Sequence, residues 1–232
     1  MSQQELPLLA IGRTIHPRAV EVAPGAVWVP SWLDPEGAAE LLAACREWAK
    51  PPAGLRRPRM PDGSPFSTMA VCLGWHWYPY TYSRTCDDHD GAPVKPFDPL
   101  LARLGARACA DAGFDATPFD AAIVNYYSPD AKLGLHRDGA EGAAVIERGS
   151  PVVTISLGDT CTFRLGNSTT RTRPFHDVQL ASGDLFVFGG PARGAYHGVP
   201  RTHPGTAPAQ LGLVGRISVT LRESGHVDPS FA

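Results

Sequence analysis

The sequence predicts a mainly β protein with α-helices flanking its sheets, and two observations lead to this fold class. Short apolar runs follow one another through the second half of the chain, with Gly, Asn and Asp between them. Such runs, separated by turn residues, are typical of strands. Two stretches in the first half instead carry apolar residues at helical spacing after an Asp-Pro pair. Many short strands favour a barrel or a sandwich.

The composition indicates a single globular unit. The chain has 232 residues, of which 43% are hydrophobic, enough to build a packed core. Its net charge of −2 argues against a polybasic nucleic-acid binder, although a local basic stripe stays possible. The five cysteines form no Cys-x-x-Cys motif, so we expect reduced thiols in the cytoplasm. The sequence has no signal pattern and no long apolar run, so we expect no contact with a membrane. We also expect the protein to be a monomer.

Two helices are predicted in the first 120 residues. We interpret residues 1–26 as an extended arm that leads to a short strand at residues 27–29. Asp34-Pro35 and Asp98-Pro99 each begin a helix, because Asp caps the free amide groups and Pro suits the first helical position. Gly113 fits the end of the second helix.

The segment between these helices is rich in aromatic residues. Residues 69–82 hold two Trp and three Tyr. Aromatic side chains stack on bases in base-flipping enzymes and single-strand binders, but a hairpin packed on the core would have the same composition. The Arg-rich residues 55–65 either contact phosphates or form a solvated loop. Composition alone leaves both alternatives open.

The second half begins with a strand at residues 122–127, whose alternation places Asn125 and Tyr127 on one face. A polar, Gly-rich loop is predicted from Asp138 to Gly149. Further strands are predicted at residues 152–157, 162–165, 177–180, 185–188, 195–199 and 216–221.

A histidine and a carboxylate lie one residue apart at His136-Arg137-Asp138. On an extended backbone they share a face and can bind one ion. His197 is the natural third ligand, and two His with one carboxylate form the facial triad of non-haem Fe(II) oxygenases, which leaves positions open for a co-substrate and dioxygen. The alternative is a polar surface turn. A second His-x-Asp, at His226 and Asp228, is interpreted as part of a solvated tail.

Strict alternation marks residues 216–222 as a half-buried strand. Arg216, Ser218 and Arg222 share one face. If this face lines the metal cavity, its two guanidinium groups need an anionic partner such as a small dicarboxylate. The alternative is a solvent-facing strand with ordinary surface arginines.

Three pieces of the sequence occur together in order. They are Asn125-x-Tyr127-x-Pro129-x-Ala131-Lys132-Leu133-x-Leu135-His136-x-Asp138, then Tyr196-His197-Gly198, then Arg216 and Arg222 with five residues between them. With these pieces the chain resembles the AlkB family of Fe(II)/2-oxoglutarate-dependent dioxygenases, the oxidative demethylases of alkylated bases. The resemblance covers about residues 69–225 and implies a double-stranded β-helix, or jelly roll, at residues 121–223.

The resemblance also implies roles for individual residues. Fe(II) would be held by His136, Asp138 and His197. The co-substrate 2-oxoglutarate would be held by Asn125, Tyr127, Arg216 and Arg222, with Ser218 on the same strand face. Residues 1–120 would form an N-terminal extension with two helices and a nucleotide-recognition lid at about residues 66–84. Substrate contacts are expected from Met69, Trp75 and Tyr80.

The base pocket departs from the family pattern at Ala140. Relatives often carry a carboxylate there, two residues past the metal-binding Asp, and it accepts hydrogen bonds from a base amino group. We therefore expect Glu141 to turn inward and face the base.

The implied function is oxidative demethylation of bases such as 1-methyladenine and 3-methylcytosine, coupled to conversion of 2-oxoglutarate to succinate. The substrate would be single-stranded alkylated DNA or RNA, and the role would be direct repair of alkylation damage. Two alternatives stay open. One is the same oxygenase chemistry on an amino acid, peptide or small metabolite, and the other is a non-enzymatic jelly-roll module with a structural ion.

Overall fold

The computed structural model describes residues 15–227 and consists of two β-sheets with helices packed outside the larger one. The strands are β1 (Val20–Ala23), β2 (Ala26–Val29), β3 (Met69–Leu73), β4 (His76–Tyr78), β5 (Thr81–Ser83), β6 (Ala121–Tyr127), β7 (Leu133–His136), β8 (Val152–Gly158), β9 (Thr160–Leu165), β10 (His176–Leu180), β11 (Leu185–Phe188), β12 (His197–His203) and β13 (Arg216–Arg222). The helices are α1 (Pro35–Trp48), α2 (Pro99–Ala112) and α3 (Ala143–Glu147).

The two sheets confirm the predicted jelly roll. The major sheet has seven strands in the order β1-β2-β11-β8-β13-β6-β3, and the minor sheet has four in the order β10-β9-β12-β7. All neighbouring strands are antiparallel, and β4 and β5 form a separate hairpin. Both outer ends of the major sheet are strands from the first 120 residues. The boundary drawn at residue 120 therefore crosses this sheet.

The two long helices begin as predicted. A carboxylate oxygen of Asp34 accepts a hydrogen bond from the Gly37 amide, and one of Asp98 accepts from the Leu100 amide, each at 2.8 Å. Helix α2 ends at Gly113, which has a left-handed conformation with φ of 79°. Each cap satisfies an amide that has no partner inside its helix.

Strand β13 shows how alternation divides core from cavity. Ile217, Val219 and Leu221 belong to the apolar core, together with residues of α1 and α2. The intervening Arg216, Ser218, Thr220 and Arg222 line the cavity between the sheets. The predicted alternation of β13 is thus confirmed, and the alternative of surface arginines is wrong.

Two local predictions need correction. Helix α3 occupies part of the predicted loop between Asp138 and Gly149; only Val145 of this short helix is buried, so no apolar stripe marks it in the sequence. Strand β1 lies in the stretch predicted as an extended arm, whose residues 1–14 fall outside the described residues. Among residues 15–227, no helix has the length and apolar character needed to cross a bilayer.

Candidate metal centre and substrate cavity

A cavity of about 400 Å³ lies between the two sheets. Side chains of β6, β8 and β13 form one wall, and those of β7, β9 and β12 form the other. Residues of the loop before β3 and of the β4–β5 hairpin contribute to its mouth. The cavity therefore collects side chains from both halves of the chain.

The predicted metal ligands meet in this cavity. His136 ends β7, His197 begins β12, and the two residues are paired in register. Asp138 follows β7, and one ligand atom from each of the three side chains lies within 4.8 Å of the others. The Nε2 atoms of His136 and His197 are each 3.7 Å from a carboxylate oxygen of Asp138. This donor set of two imidazoles and one carboxylate suits a non-haem iron ion.

Backbone carbonyls orient both imidazoles. Nδ1 of His136 lies 2.9 Å from the carbonyl oxygen of Gly134, and Nδ1 of His197 lies 3.1 Å from that of Ala195. A neutral imidazole that donates its Nδ1–H to a carbonyl keeps the Nε2 lone pair free for a metal. Both Nε2 atoms are the ones that face Asp138.

The charge states also suit a cation. Burial lowers the pKa of His197 to about 4, against the opposing effect of Asp138, so its imidazole is neutral at physiological pH. Burial would raise the pKa of Asp138, but Arg222, His197 and His136 together hold that pKa well below its usual range. The carboxylate is therefore ionised.

The two carboxylate oxygens of Asp138 differ in their hydrogen bonding. Its Oδ1 accepts a hydrogen bond from Nη2 of Arg222 at 2.7 Å. Its Oδ2 is buried and has no hydrogen-bond partner in the described part of the chain. A buried carboxylate oxygen without a hydrogen-bond partner destabilises the folded protein. A bound metal ion would satisfy this oxygen, so the atom is suited to be a metal ligand.

Arg216 places a buried guanidinium group in the same cavity. It is 1% exposed, and Nη2 donates to Oγ of Ser156 at 3.0 Å, while Nε and Nη1 have no partner among the described residues. Its guanidinium lies 5.0 Å from the ring centroid of Tyr127, and burial raises the pKa of that phenol to about 12. Tyr127 therefore remains protonated. Asn125 and Ser218 line the cavity beside this pair.

Of the expected substrate contacts, the structure brings only Tyr80 to the cavity. Tyr80 is 73% exposed and lies at the mouth. Met69 begins β3 but does not line the cavity. Trp75 is 7% exposed, donates from Nε1 to Asp120 at 3.1 Å, and packs under Arg84 outside the cavity. The structure therefore does not bring Met69 and Trp75 to the cavity, because these side chains are held elsewhere.

Trp77 replaces Trp75 in the cavity wall. Its ring packs edge-on against Phe66, with centroids 6.2 Å apart, and both residues line the cavity. A single residue, His76, separates Trp75 from Trp77, and the tight turn at Gly74, with φ of 76°, precedes them. The path of the chain through that turn decides which Trp reaches the cavity. The sequence pattern did not indicate this path.

The Glu141 side chain does not turn into the cavity as expected. The side chain is buried and does not line the cavity, whereas Ala140 does. Oε2 accepts from Nη2 of Arg193 at 3.1 Å, and Oε1 accepts from Nη1 of Arg222 at 3.3 Å and from the hydroxyl of Tyr82 at 2.9 Å. These groups hold Glu141 behind the cavity wall.

Sequence reasoning also missed basic residues at the cavity. Arg137 and Arg171 line it, and both guanidinium groups lie against the ring of Tyr196, at 4.9 and 5.5 Å from its centroid. Arg137 is the middle residue of the His-x-Asp motif, so the sequence could have indicated that it lies close to the metal ligands. Arg171 lies in a loop that carries no recognisable pattern.

The segment around His226 packs against the rest of the protein. His226 is exposed, but its ring lies 5.5 Å from that of Trp75 and 5.4 Å from that of Tyr82. Its Nε2 is 3.1 Å from the carbonyl oxygen of Ala140. The expected solvated tail is corrected at this residue, and Asp228 lies outside the described residues.

Comparison with known proteins gives consistent matches. The pattern of the 2OG-Fe(II) oxygenase superfamily matches residues 25–222. The alpha-ketoglutarate-dependent dioxygenase AlkB homolog of Caulobacter vibrioides is 36% identical over 93% of this chain and 94% of its own length. The solved structure of OsALKBH1 superposes with a TM-score of 0.80 at 30% identity, covering 87% of this chain and 99% of that one.

A third relative is longer than this chain. The DNA N(6)-methyladenine demethylase ALKBH1D of Arabidopsis thaliana is 31% identical over 87% of this chain. The matched region is only 50% of that relative, so the chain spans about half the length of this protein.

Proposed function

Since the chain belongs to the AlkB family within the 2OG-Fe(II) oxygenase superfamily, we propose that it is an Fe(II)- and 2-oxoglutarate-dependent dioxygenase that removes alkyl groups from nucleic-acid bases. One observation carries the proposal. Two oriented imidazoles and a half-satisfied carboxylate meet in the cavity that also holds the buried, incompletely paired Arg216. This arrangement suits a metal and a small anion side by side.

The metal is assigned to His136, Asp138 and His197. The free Oδ2 of Asp138 supports this assignment, because a cation would satisfy it. When bound, Fe(II) with 2-oxoglutarate and dioxygen supplies the oxidising chemistry: the co-substrate is converted to succinate and CO₂, and the alkyl carbon is hydroxylated. The protein contributes ligands, orientation and exclusion of water.

The co-substrate is assigned to the wall formed by β6 and β13. Arg216 would pair with the distal carboxylate through its free Nε and Nη1, and Asn125, Tyr127 and Ser218 would contact the chain of the co-substrate. Tyr127 serves as a hydrogen-bond donor because its phenol stays protonated. Arg222 already binds Asp138 and Glu141, which leaves its unpartnered Nε to steady the end near the metal.

The base is assigned to the cavity mouth. A base flipped out of the strand would stack on Trp77 and Tyr80. Base-flipping enzymes hold their target base between aromatic side chains in this way. We propose 1-methyladenine and 3-methylcytosine in single-stranded DNA or RNA as substrates, with N6-methyladenine as a further candidate, since ALKBH1D carries that name. All five cysteines are buried and unpaired, which supports a reducing compartment such as the cytoplasm.

The test measures succinate and aldehyde release by the iron-loaded protein with and without alkylated oligonucleotides. We expect an alkylated strand to raise both products, and the unmodified strand to raise neither. Succinate formed without any dependence on nucleic acid would contradict the proposal and favour a small-molecule hydroxylase.

A further inference from the structure

A buried ion network lies behind the metal centre, and the proposed chemistry uses only its member Arg222. It consists of Glu141, Arg193, Arg222 and the hydroxyl of Tyr82. Glu141 is its hub, because each of its oxygens accepts from at least one of the others at 2.9 to 3.3 Å. Its side chain is fully buried between two guanidinium groups that are at most 10% exposed.

Both arginines of this network also hold Asp138. Arg222 donates from Nη2 to Oδ1 of Asp138 at 2.7 Å, and Arg193 donates from Nη1 to the backbone carbonyl of Asp138 at 3.2 Å. Glu141 thus holds the two groups that fix the side chain and the backbone of a metal ligand.

The other end of the network reaches the β4–β5 hairpin. Tyr82 lies on β5 and is the cross-strand partner of Trp77 on β4, while Tyr80 lies in the turn between them. Trp77 and Tyr80 line the cavity mouth. Among the described hydrogen bonds, the Tyr82 hydroxyl links this hairpin to Glu141, and Arg222 lies 3.5 Å from the same hydroxyl.

We propose that Glu141 and Tyr82 are positioning residues that couple the β4–β5 hairpin to the metal carboxylate. Ordering of Asp138 by a metal holds Arg222 and Glu141 in place, and these hold the hairpin through Tyr82. Coupling between two sites is reciprocal, so an ordered hairpin also strengthens metal binding. This inference rests on the proposed function only in taking His136, Asp138 and His197 as the metal site.

The size of the effect follows from one hydrogen bond to a buried charged group. Removing the Tyr82 hydroxyl leaves Oε1 of Glu141 with Arg222 alone. A bond of this kind corresponds to roughly a 10-fold change in an equilibrium constant. Since only part of it differs between the metal-free and metal-bound states, we expect metal affinity to fall about 3- to 10-fold.

The experiment uses Mn(II) as the probe with metal-free full-length protein, without co-substrate or nucleic acid. Mn(II) affinity is measured by electron paramagnetic resonance, and amide hydrogen exchange is followed in residues 76–83 with and without the metal. In the wild type, Mn(II) should slow exchange of the hairpin. In Tyr82→Phe, affinity should fall by the stated factor and the metal-dependent slowing should disappear. Glu141→Gln should act in the same direction and more strongly.

Tyr78→Phe is the matched control, because it removes a hydroxyl from the same hairpin at a residue that does not line the cavity. It should retain both the affinity and the metal-dependent slowing. A merely structural role for Tyr82 would raise hairpin exchange equally with and without Mn(II), and that result would overturn the coupling. Wild-type affinity and protection in Tyr82→Phe would overturn it as well. Failure of the wild type to bind Mn(II) would instead overturn the metal site of the proposed function.

Discussion

His136 and His197 are direct cross-strand partners on β7 and β12, with ring centroids 4.4 Å apart. The metal site therefore depends on the register of two strands in the minor sheet. A slip of one residue would turn one imidazole to the opposite face. The pairing is irregular between His197 and Val199, so the local backbone at Gly198 sets the register.

A side chain at Gly198 should disturb this register. A Cβ atom there would lie 2.6 Å from the carbonyl oxygen of Leu133 and 2.8 Å from that of Gly134, so Gly198→Ala must separate β7 from β12. We expect a lower metal affinity in Gly198→Ala, measured by Mn(II) titration. Gly194→Ala is the control, since its Cβ would meet only Ser168 at 3.8 Å. Equal affinities of both variants and the wild type would contradict the argument.

Loss of any one ligand should empty the metal site. His136→Ala, Asp138→Ala and His197→Ala each leave two ligands, and we expect each purified protein to lack iron. The exposed His176 on β10 provides the control, and His176→Ala should keep wild-type iron content. Metal content by mass spectrometry is the measurement. Full iron occupancy in His197→Ala would show that His197 is not a ligand.

Replacing Arg216 should raise the requirement for 2-oxoglutarate. Arg216→Ala would leave a buried carboxylate without its charged partner, a loss that corresponds to about 10- to 100-fold in apparent affinity. The measurement is the 2-oxoglutarate dependence of succinate formation. Arg201→Ala, at an exposed arginine on β12, should leave that dependence unchanged. An unaltered dependence in Arg216→Ala would remove Arg216 from the co-substrate site.

Trp77, on β4, and Trp75, which precedes it, should give opposite phenotypes. Trp77→Ala and Tyr80→Ala should weaken turnover of alkylated oligonucleotides, since stacking on a base contributes about 1–3 kcal/mol, while 2-oxoglutarate affinity stays unchanged. Trp75→Ala should mainly lower stability, by about 3–5 kcal/mol for a buried Trp. Oligonucleotide kinetics and denaturant unfolding distinguish these outcomes. Unimpaired kinetics in both Trp77→Ala and Tyr80→Ala would show that the hairpin does not contact the base.

An acidic residue at position 140 should improve recognition of bases that carry an amino group. Ala140 lines the cavity, and Glu141 is held behind its wall, so wild-type Ala140 presents no carboxylate to a base. We expect Ala140→Asp to raise turnover of 1-methyladenine and 3-methylcytosine by about 5- to 100-fold relative to lesions without an amino group. Ala140→Asn, of similar size, is the uncharged control. No change in the ratio between lesions would place the base elsewhere.

Local patterns predicted the parts of the site that belong to single strands. The alternation of β13 identified Arg216 and Arg222, and the His-x-Asp spacing identified two ligands on one extended segment. The contacts of Glu141 escaped prediction because they come from Tyr82, Arg193 and Arg222, which are far apart in the sequence. Which of Trp75 and Trp77 reaches the cavity depends on the turn at Gly74. The backbone of Asp120 lies so close to this turn that a Cβ atom added at Gly74 would clash with it.

The order of strands in the major sheet has a consequence for synthesis on the ribosome. Strand β2 pairs with β11, and Trp28 lies opposite Phe186, so β2 is synthesised long before this partner strand. Strand β3 is likewise synthesised well before its partner β6, on which Val124 lies opposite Val71. Pairing between distant segments is slow, and strands without partners aggregate. We expect nascent chains that stop before β11 to depend on chaperones, and full-length chains released from them to fold only after β11 has docked beside β2.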